Sequence, residues 1–80
     1  MSNAQRLQSS FRQGLALPPT CDVTNADNSL RQWDSVAHLQ LVVAIEDNFH
    51  VRLTPADVVA LKSYRAAVDI LRRHGVPPDA

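Results

Sequence analysis

The chain has 80 residues, 45% of them apolar, and its eight basic and eight acidic side chains cancel to a net charge of zero. This length allows one small domain, which we place at residues 1–80. The balanced charge argues against a nucleic-acid binder and against polybasic docking to a membrane, since both need surplus cations. The longest apolar run, 41–45, is too short to span a bilayer, no signal peptide opens the chain, and the single cysteine excludes an intramolecular disulfide. We therefore expect a cytoplasmic monomer that does not insert into membranes.

The N-terminal part of the chain combines one predicted helix with a long loop. An amphipathic helix over about 4–15 is predicted because an apolar residue recurs every four positions there: Leu7, Phe11 and Leu15. Ser2 or Asn3 can cap its start, and Gly14 with the prolines that follow marks its end. Residues 16–33 lack periodicity and are rich in turn formers, so we expect a loop that four apolar side chains hold to the core: Leu17, Val23, Leu30 and Trp33.

The best-defined predicted helix follows this loop, over about 35–49. Asp34 or Ser35 can act as its N-cap. Its apolar residues lie at helical spacing and predict one broad buried face: Leu39, Leu41, Val42, Ile45 and Phe49.

Two shorter helices are predicted in the last third of the chain. A Thr-Pro pair at 54–55 begins a helix over about 55–61. Ser63 begins another, over about 64–74, which ends at Gly75 and has the inner face Tyr64, Ala67, Val68 and Leu71. The sequence therefore predicts an all-α fold of four helices with a long first loop and a short third helix.

Ser35 is the residue that best fits a covalent attachment site. It follows Trp33 and Asp34 at the start of the second helix. An anion esterified to its hydroxyl would lie near free backbone N–H groups and the positive end of the helix dipole, which suits a phosphodiester. The alternative from chemistry alone is plain N-capping, a position that serine favours.

The residues that follow Ser35 resemble the acyl carrier and peptidyl carrier protein family. That family has Asp-Ser-(Leu/Met/Val) at the head of its second helix and an apolar pattern that ends in Glu-x-x-Phe. Here Asp34-Ser35-Val36 precedes the matching positions Leu39, Leu41, Ile45, Glu46 and Phe49. Segments 51–53 and 64–71 are similar to the link before the family's third helix and to its closing helix. Trp-Asp-Ser itself is similar to a subset of discrete, stand-alone carriers.

The resemblance implies an acyl-carrier-like four-helix bundle and a carrier function. Ser35, beside Asp34, would bear 4′-phosphopantetheine, attached from coenzyme A by a phosphopantetheinyl transferase with Mg²⁺. The thiol of this arm would hold an acyl or aminoacyl group as a thioester, in fatty-acid, polyketide or other secondary metabolism. The implied partners are a loading ligase and a downstream synthase or transferase. The protein itself would catalyse no reaction.

Three features depart from the family pattern. Trp33 replaces the glycine that is common before Asp-Ser, and His50 replaces the glycine that is common after the phenylalanine. Beyond Asp34, the second helix offers only Glu46 and Asp47 as acidic residues, whereas fatty-acid carriers are strongly acidic there. We therefore do not expect docking to depend mainly on a basic partner surface.

One stripe of the second helix is the candidate partner-binding surface. Four residues share this side of the helix because they are spaced by three or four positions: Val36, Gln40, Val43 and Asp47. The stripe points away from Leu41 and Ile45, so both valines should be exposed. Exposed valines beside Ser35 are candidate contacts, although scattered surface apolar residues are also normal.

Two other classes of protein remain open. A carrier-like interaction domain would have the same fold with Ser35 never modified. A small helical DNA-binding domain is disfavoured by the zero net charge.

The remaining polar residues predict little chemistry of their own. His38 follows Ser35 by one turn, but no third group orients a nucleophile and base, so we expect it to line the arm or to face solvent. The three scattered histidines predict no metal site. The basic residues of the last third are expected to form a solvated face: Lys62, Arg65, Arg72 and Arg73.

Overall fold

Residues 2–78 are described in a computed structural model of the chain and form four α-helices. In chain order these are α1 (Asn3–Gly14), α2 (Ser35–Phe49), α3 (Pro55–Ala60) and α4 (Tyr64–Arg73). No strand occurs in this range, where one isolated antiparallel bridge joins Asp27 to Ser63. The all-α prediction and the order of its elements are confirmed, and each helix end lies within one residue of its predicted position.

Short polar side chains satisfy the free N–H groups at the helix starts. Ser2 and Gln5 form a capping box at α1, and Thr54 and Asp57 form another at α3. Ser63 caps α4 by accepting a hydrogen bond from a backbone N–H of its first turn. These caps explain why three helices begin where the sequence predicts, since each removes an unsatisfied donor.

The core lies between α1, α2 and α4. Its most deeply buried side chains, each at most 2% exposed, include Leu7, Phe11, Leu15, Leu41, Ile45, Leu61, Ala67, Ile70 and Leu71. Phe11 packs edge-on against Trp33 of the first loop, with ring centroids 5.7 Å apart, and also contacts Tyr64 of α4 at 5.3 Å. The loop packs onto this core as predicted: Val23 and Trp33 are buried, and Leu17 and Leu30 are partly buried.

Two predicted faces differ from those of the structure. Leu39 is 61% exposed, so its assignment to the buried face of α2 is wrong. Leu39 lies two residues from Leu41, which places it about 200° around the helix, on the opposite side. On α4, Ile70 is buried at 2% exposure although it was not among the predicted inner residues, while Tyr64 and Val68 are only partly buried.

Gly14 ends α1, but its more important role is in helix packing. A Cβ atom at this position would lie 2.5 Å from Cα of Leu41 and 2.7 Å from its backbone nitrogen. The residue that takes the left-handed conformation after α1 is instead Ala16, at φ 54°. The missing side chain of Gly14 therefore allows α1 and α2 to approach closely.

Replacing Gly14 with alanine should strongly destabilise the fold. The new methyl group would meet backbone atoms, which cannot move aside without shifting a helix, so we expect a loss of about 1–3 kcal/mol in the free energy of unfolding. Urea denaturation followed by circular dichroism measures this loss. Gly75→Ala measures the other cost of replacing a glycine: nothing lies within 4 Å of its Cβ position, so its loss of stability reports the strain of the positive φ of 78° without a steric contact. A Gly14→Ala protein as stable as the wild type would contradict this packing.

Candidate functional site

Asp34 and Ser35 have different roles at the start of α2. Asp34 is the N-cap, and its Oδ1 accepts a hydrogen bond from the backbone N–H of Ala37 at 2.8 Å. Ser35 is the first helical residue and is exposed. Within residues 2–78 its hydroxyl has no hydrogen-bond partner. Of the two predicted N-caps, Asp34 is the one that caps α2, and the Ser35 hydroxyl makes no hydrogen bond to the helix backbone.

A cleft of about 530 Å³ opens beside Ser35, between α2 and α3. Its apolar lining includes Trp33, Leu39, Val58, Val59 and Leu61. Its polar lining comes from Asn28, Asp34, Ser35, His38 and Lys62. The walls of this open groove are mostly apolar, and a few polar groups lie along it.

His38 connects the first loop to α3 across the back of this cleft. Its Nδ1 accepts a hydrogen bond from the indole N–H of Trp33 at 2.9 Å. Nε2 therefore carries the proton of the neutral ring and donates to the backbone carbonyl of Val58 at 2.8 Å. The imidazole also stacks on Trp33, with centroids 6.0 Å apart. His38 is thus half-buried and lines the cleft, and the expectation that it faces solvent is wrong.

The hydrogen bonds of His38 also decide whether it could act as a base for Ser35 as a nucleophile. Both ring nitrogens of His38 are engaged, one by Trp33 and the other by Val58. Neither is left to accept a proton from the Ser35 hydroxyl in this arrangement. The sequence spacing of one helical turn therefore does not produce a catalytic dyad here.

Asp57 provides a second side-chain attachment of α3 to the rest of the fold. This carboxylate is buried at 8% exposure; its Oδ2 accepts hydrogen bonds from His74 Nε2 at 2.7 Å and from the N–H of Thr54 at 3.1 Å. Arg73 lies 3.5 Å from Oδ1. The His74 hydrogen bond, followed by that from the Thr54 backbone, holds the pKa of Asp57 below its usual value. Two histidines therefore bond adjacent residues of α3, His38 the Val58 carbonyl and His74 the Asp57 side chain, and no sequence period predicts either contact.

Backbone hydrogen bonds fix the polar rim of the cleft. The N–H of Asn28 donates to the carbonyl of Lys62 at 2.9 Å, and the N–H of Tyr64 donates to the carbonyl of Ala26 at 2.9 Å. These bonds tie the first loop to the link between α3 and α4. Lys62 is exposed, as predicted, and it also lines the cleft, a position that the sequence did not reveal.

The predicted partner-binding stripe lies on the surface of α2. Val36 is 65% exposed and Val43 is 54% exposed, and Gln40 and Asp47 are exposed as well. Leu39 adds to this surface and also lines the cleft, so apolar surface runs from the Ser35 site along α2. The predicted exposure of Val36 and Val43 is confirmed.

Neither a metal cluster nor a relative identifies this site. Within residues 2–78, no group of three His, Cys, Asp or Glu side chains is placed to hold a metal ion. None of the helices in that range combines the length and the apolar character needed to cross a membrane. Comparisons of the chain with family models, with curated proteins and with solved structures found no match. What the site can do is therefore inferred from its own residues.

The Asp57 contacts predict a specific loss of stability in acid. Because the folded-state pKa of Asp57 lies below its usual value of 3.8, its carboxylate stabilises the fold fully above about pH 4, and this contribution is lost as the pH falls through the folded-state pKa. Urea denaturation at several pH values should show wild type losing more stability between about pH 5 and 2 than Asp57→Asn does. Asp47→Asn, at an exposed position on α2, should follow the wild type. Parallel curves for wild type and Asp57→Asn would contradict the assignment.

Proposed function

We propose that the protein is a carrier in which Ser35 bears a 4′-phosphopantetheine arm that holds an acyl or aminoacyl group as a thioester. The observation that carries this proposal is that Asp34, and not Ser35, caps α2. A serine needed for capping would accept a hydrogen bond from the helix backbone. Ser35 is instead exposed with an unbonded hydroxyl at the mouth of a cleft.

The surroundings of Ser35 also favour an esterified phosphate. A phosphodiester on the first residue of α2 would face the free N–H groups and the positive end of the dipole of a 15-residue helix. The long first loop and the six-residue α3 support an acyl-carrier-like bundle. Together these features fit the chemistry that the Asp34-Ser35-Val36 motif implies.

In this role the protein is a substrate and not a catalyst. A phosphopantetheinyl transferase would esterify Ser35 with coenzyme A as donor, and a ligase would load the thiol. A synthase or transferase would then remove the cargo. A flexible arm raises the effective concentration of the cargo at each partner without tight binding, so small and transient contacts suffice.

The partner surface that we propose is the exposed side of α2. Val36, Gln40, Val43 and Asp47 extend from the Ser35 end of the helix along its outer side. Val36 and Val43 contribute apolar area, while the side chain of Asp47 supplies a single negative charge. Contacts of this composition depend on shape and apolar burial more than on long-range charge attraction.

Replacing Ser35 with alanine should abolish modification and leave the fold intact. Wild-type protein incubated with a promiscuous phosphopantetheinyl transferase, coenzyme A and Mg²⁺ should gain the mass of one phosphopantetheinyl group, whereas Ser35→Ala should gain none. The helical signal should persist, because Asp34 still caps α2. Ser29→Ala, at an exposed loop serine, is the matched control and should be modified like the wild type. An unmodified wild type would favour the interaction domain, and a modified Ser35→Ala would refute the attachment site.

Substitutions on the two sides of α2 should separate docking from stability. Leu41 is fully buried, so Leu41→Ala should lower the free energy of unfolding by about 2–5 kcal/mol. Val43→Asp changes an exposed side chain and should lower it by less than about 1 kcal/mol while slowing loading or transfer by partner enzymes. Thermal melting and a transfer assay measure the two effects. If Val43→Asp transfers cargo at the wild-type rate, the proposed surface is wrong.

A further inference from the structure

Lys62 occupies an unusual place in the chain and in the site. It is the only lysine in the sequence. Of the described residues that line the cleft beside Ser35, it is also the only lysine or arginine. No carboxylate within residues 2–78 pairs with its ammonium group, whereas Arg72 and Arg73 lie close to Asp69 and Asp57. The cleft therefore contains one positive charge without a protein counter-ion among the described residues.

The backbone around Lys62 is held in place. Its carbonyl accepts the N–H of Asn28 at 2.9 Å, and the adjacent Leu61 side chain is 1% exposed. The bridge between Asp27 and Ser63 lies directly beside this contact. Asn28, which also lines the cleft, is thus kept beside Lys62. The two residues form a fixed polar rim that offers hydrogen-bond donors and one positive charge.

Modification of Ser35 would place two negative charges close together at the start of α2, where a nearby positive charge would be stabilising. Asp34 already places a carboxylate at this helix end, where it bonds the N–H of Ala37. A phosphodiester on Ser35 would add a second negative charge next to it. The helix dipole is equivalent to only about half a positive charge. The other basic group in the cleft, His38, has both nitrogens engaged.

We propose that Lys62, assisted by the amide of Asn28, binds the phosphodiester on Ser35 and so holds the base of the arm across the mouth of the cleft. This inference rests on the carrier function proposed above and names the group of this chain that recognises the modified state. An exposed ammonium–phosphate contact of this kind is weakened by salt. Its purpose is to direct the arm along the α2–α3 cleft and not out into solvent.

The single lysine makes this proposal directly testable. Reductive methylation with ¹³C-formaldehyde labels Lys62 and the N-terminal amine and preserves their charge, so that nuclear magnetic resonance reports on Lys62 by itself. Conversion from the unmodified to the modified protein, verified by intact mass, should shift the dimethyl-Lys62 signal by more than its linewidth. Raising the ionic strength from about 0.1 to 1 M should reverse most of that shift. Ser35→Ala treated with the same transferase should show no shift.

The phosphorus signal of the modified protein provides the second measurement. Lys62→Gln should shift and narrow the ³¹P resonance relative to wild type, because the phosphate loses its partner, whereas Lys62→Arg should keep it close to the wild-type position. A verified mass gain with an unchanged Lys62 signal, or a Lys62→Gln resonance identical to wild type, would overturn the Lys62 assignment and leave the carrier function standing. Absence of any mass gain would overturn the carrier function itself.

Discussion

The close contact between Gly14 and the backbone of Leu41 determines which side of α2 faces the protein. A side chain at position 14 would collide with Leu41, so this pair sets both the separation of α1 and α2 and the rotation of α2. At about 100° per residue, Leu39, Val36 and Val43 then lie about 160–220° from Leu41 and must face outward. Ser35 and His38 fall between these two sides, about 120° and 60° from Leu41, where the structure has the cleft with α3. One glycine contact therefore positions both Ser35 and the exposed stripe.

The cleft depends equally on how α3 is held, because a six-residue helix has no appreciable stability of its own. His38 bonds the backbone carbonyl of Val58, and His74 bonds the side chain of the adjacent Asp57, in the middle of α3. Val59 faces outward at 70% exposure, whereas Val58 packs partly buried against the core and Leu61, which follows the helix, is 1% exposed. The α3 wall of the cleft therefore depends both on these hydrogen bonds and on the packing of Val58 and Leu61.

Features that depend on residues close together in the sequence could be predicted, and features that depend on distant residues could not. Helix positions, the caps at Ser63 and Thr54 and the stop at Gly75 are local, so spacing and residue type were sufficient. Leu39 was misplaced because its apolar character was given more weight than its two-residue spacing from Leu41, which puts it on the opposite side of α2. The bridge from Trp33 through His38 to Val58 joins residues up to 25 positions apart, and the cleft position of Lys62 depends on pairing between a loop and a link. No local pattern encodes such contacts. The sequence therefore located the start of α2 at Asp34 and Ser35, whereas it did not reveal the contacts that form the cleft beside them.

Because Asp34 precedes Ser35, the capping of α2 and the exposed hydroxyl fall on two different residues. Asp34 occupies the N-cap position and accepts the Ala37 N–H, so α2 does not need the Ser35 hydroxyl. In the reverse order, serine would be the N-cap, and its oxygen would be bound to the helix backbone in the very position where aspartate now bonds. Placing the carboxylate first leaves the hydroxyl exposed on the first turn, still within the field of the helix end. Under the carrier function proposed above, a phosphodiester on Ser35 would add a second negative charge beside Asp34, and Lys62 would offset it across the cleft.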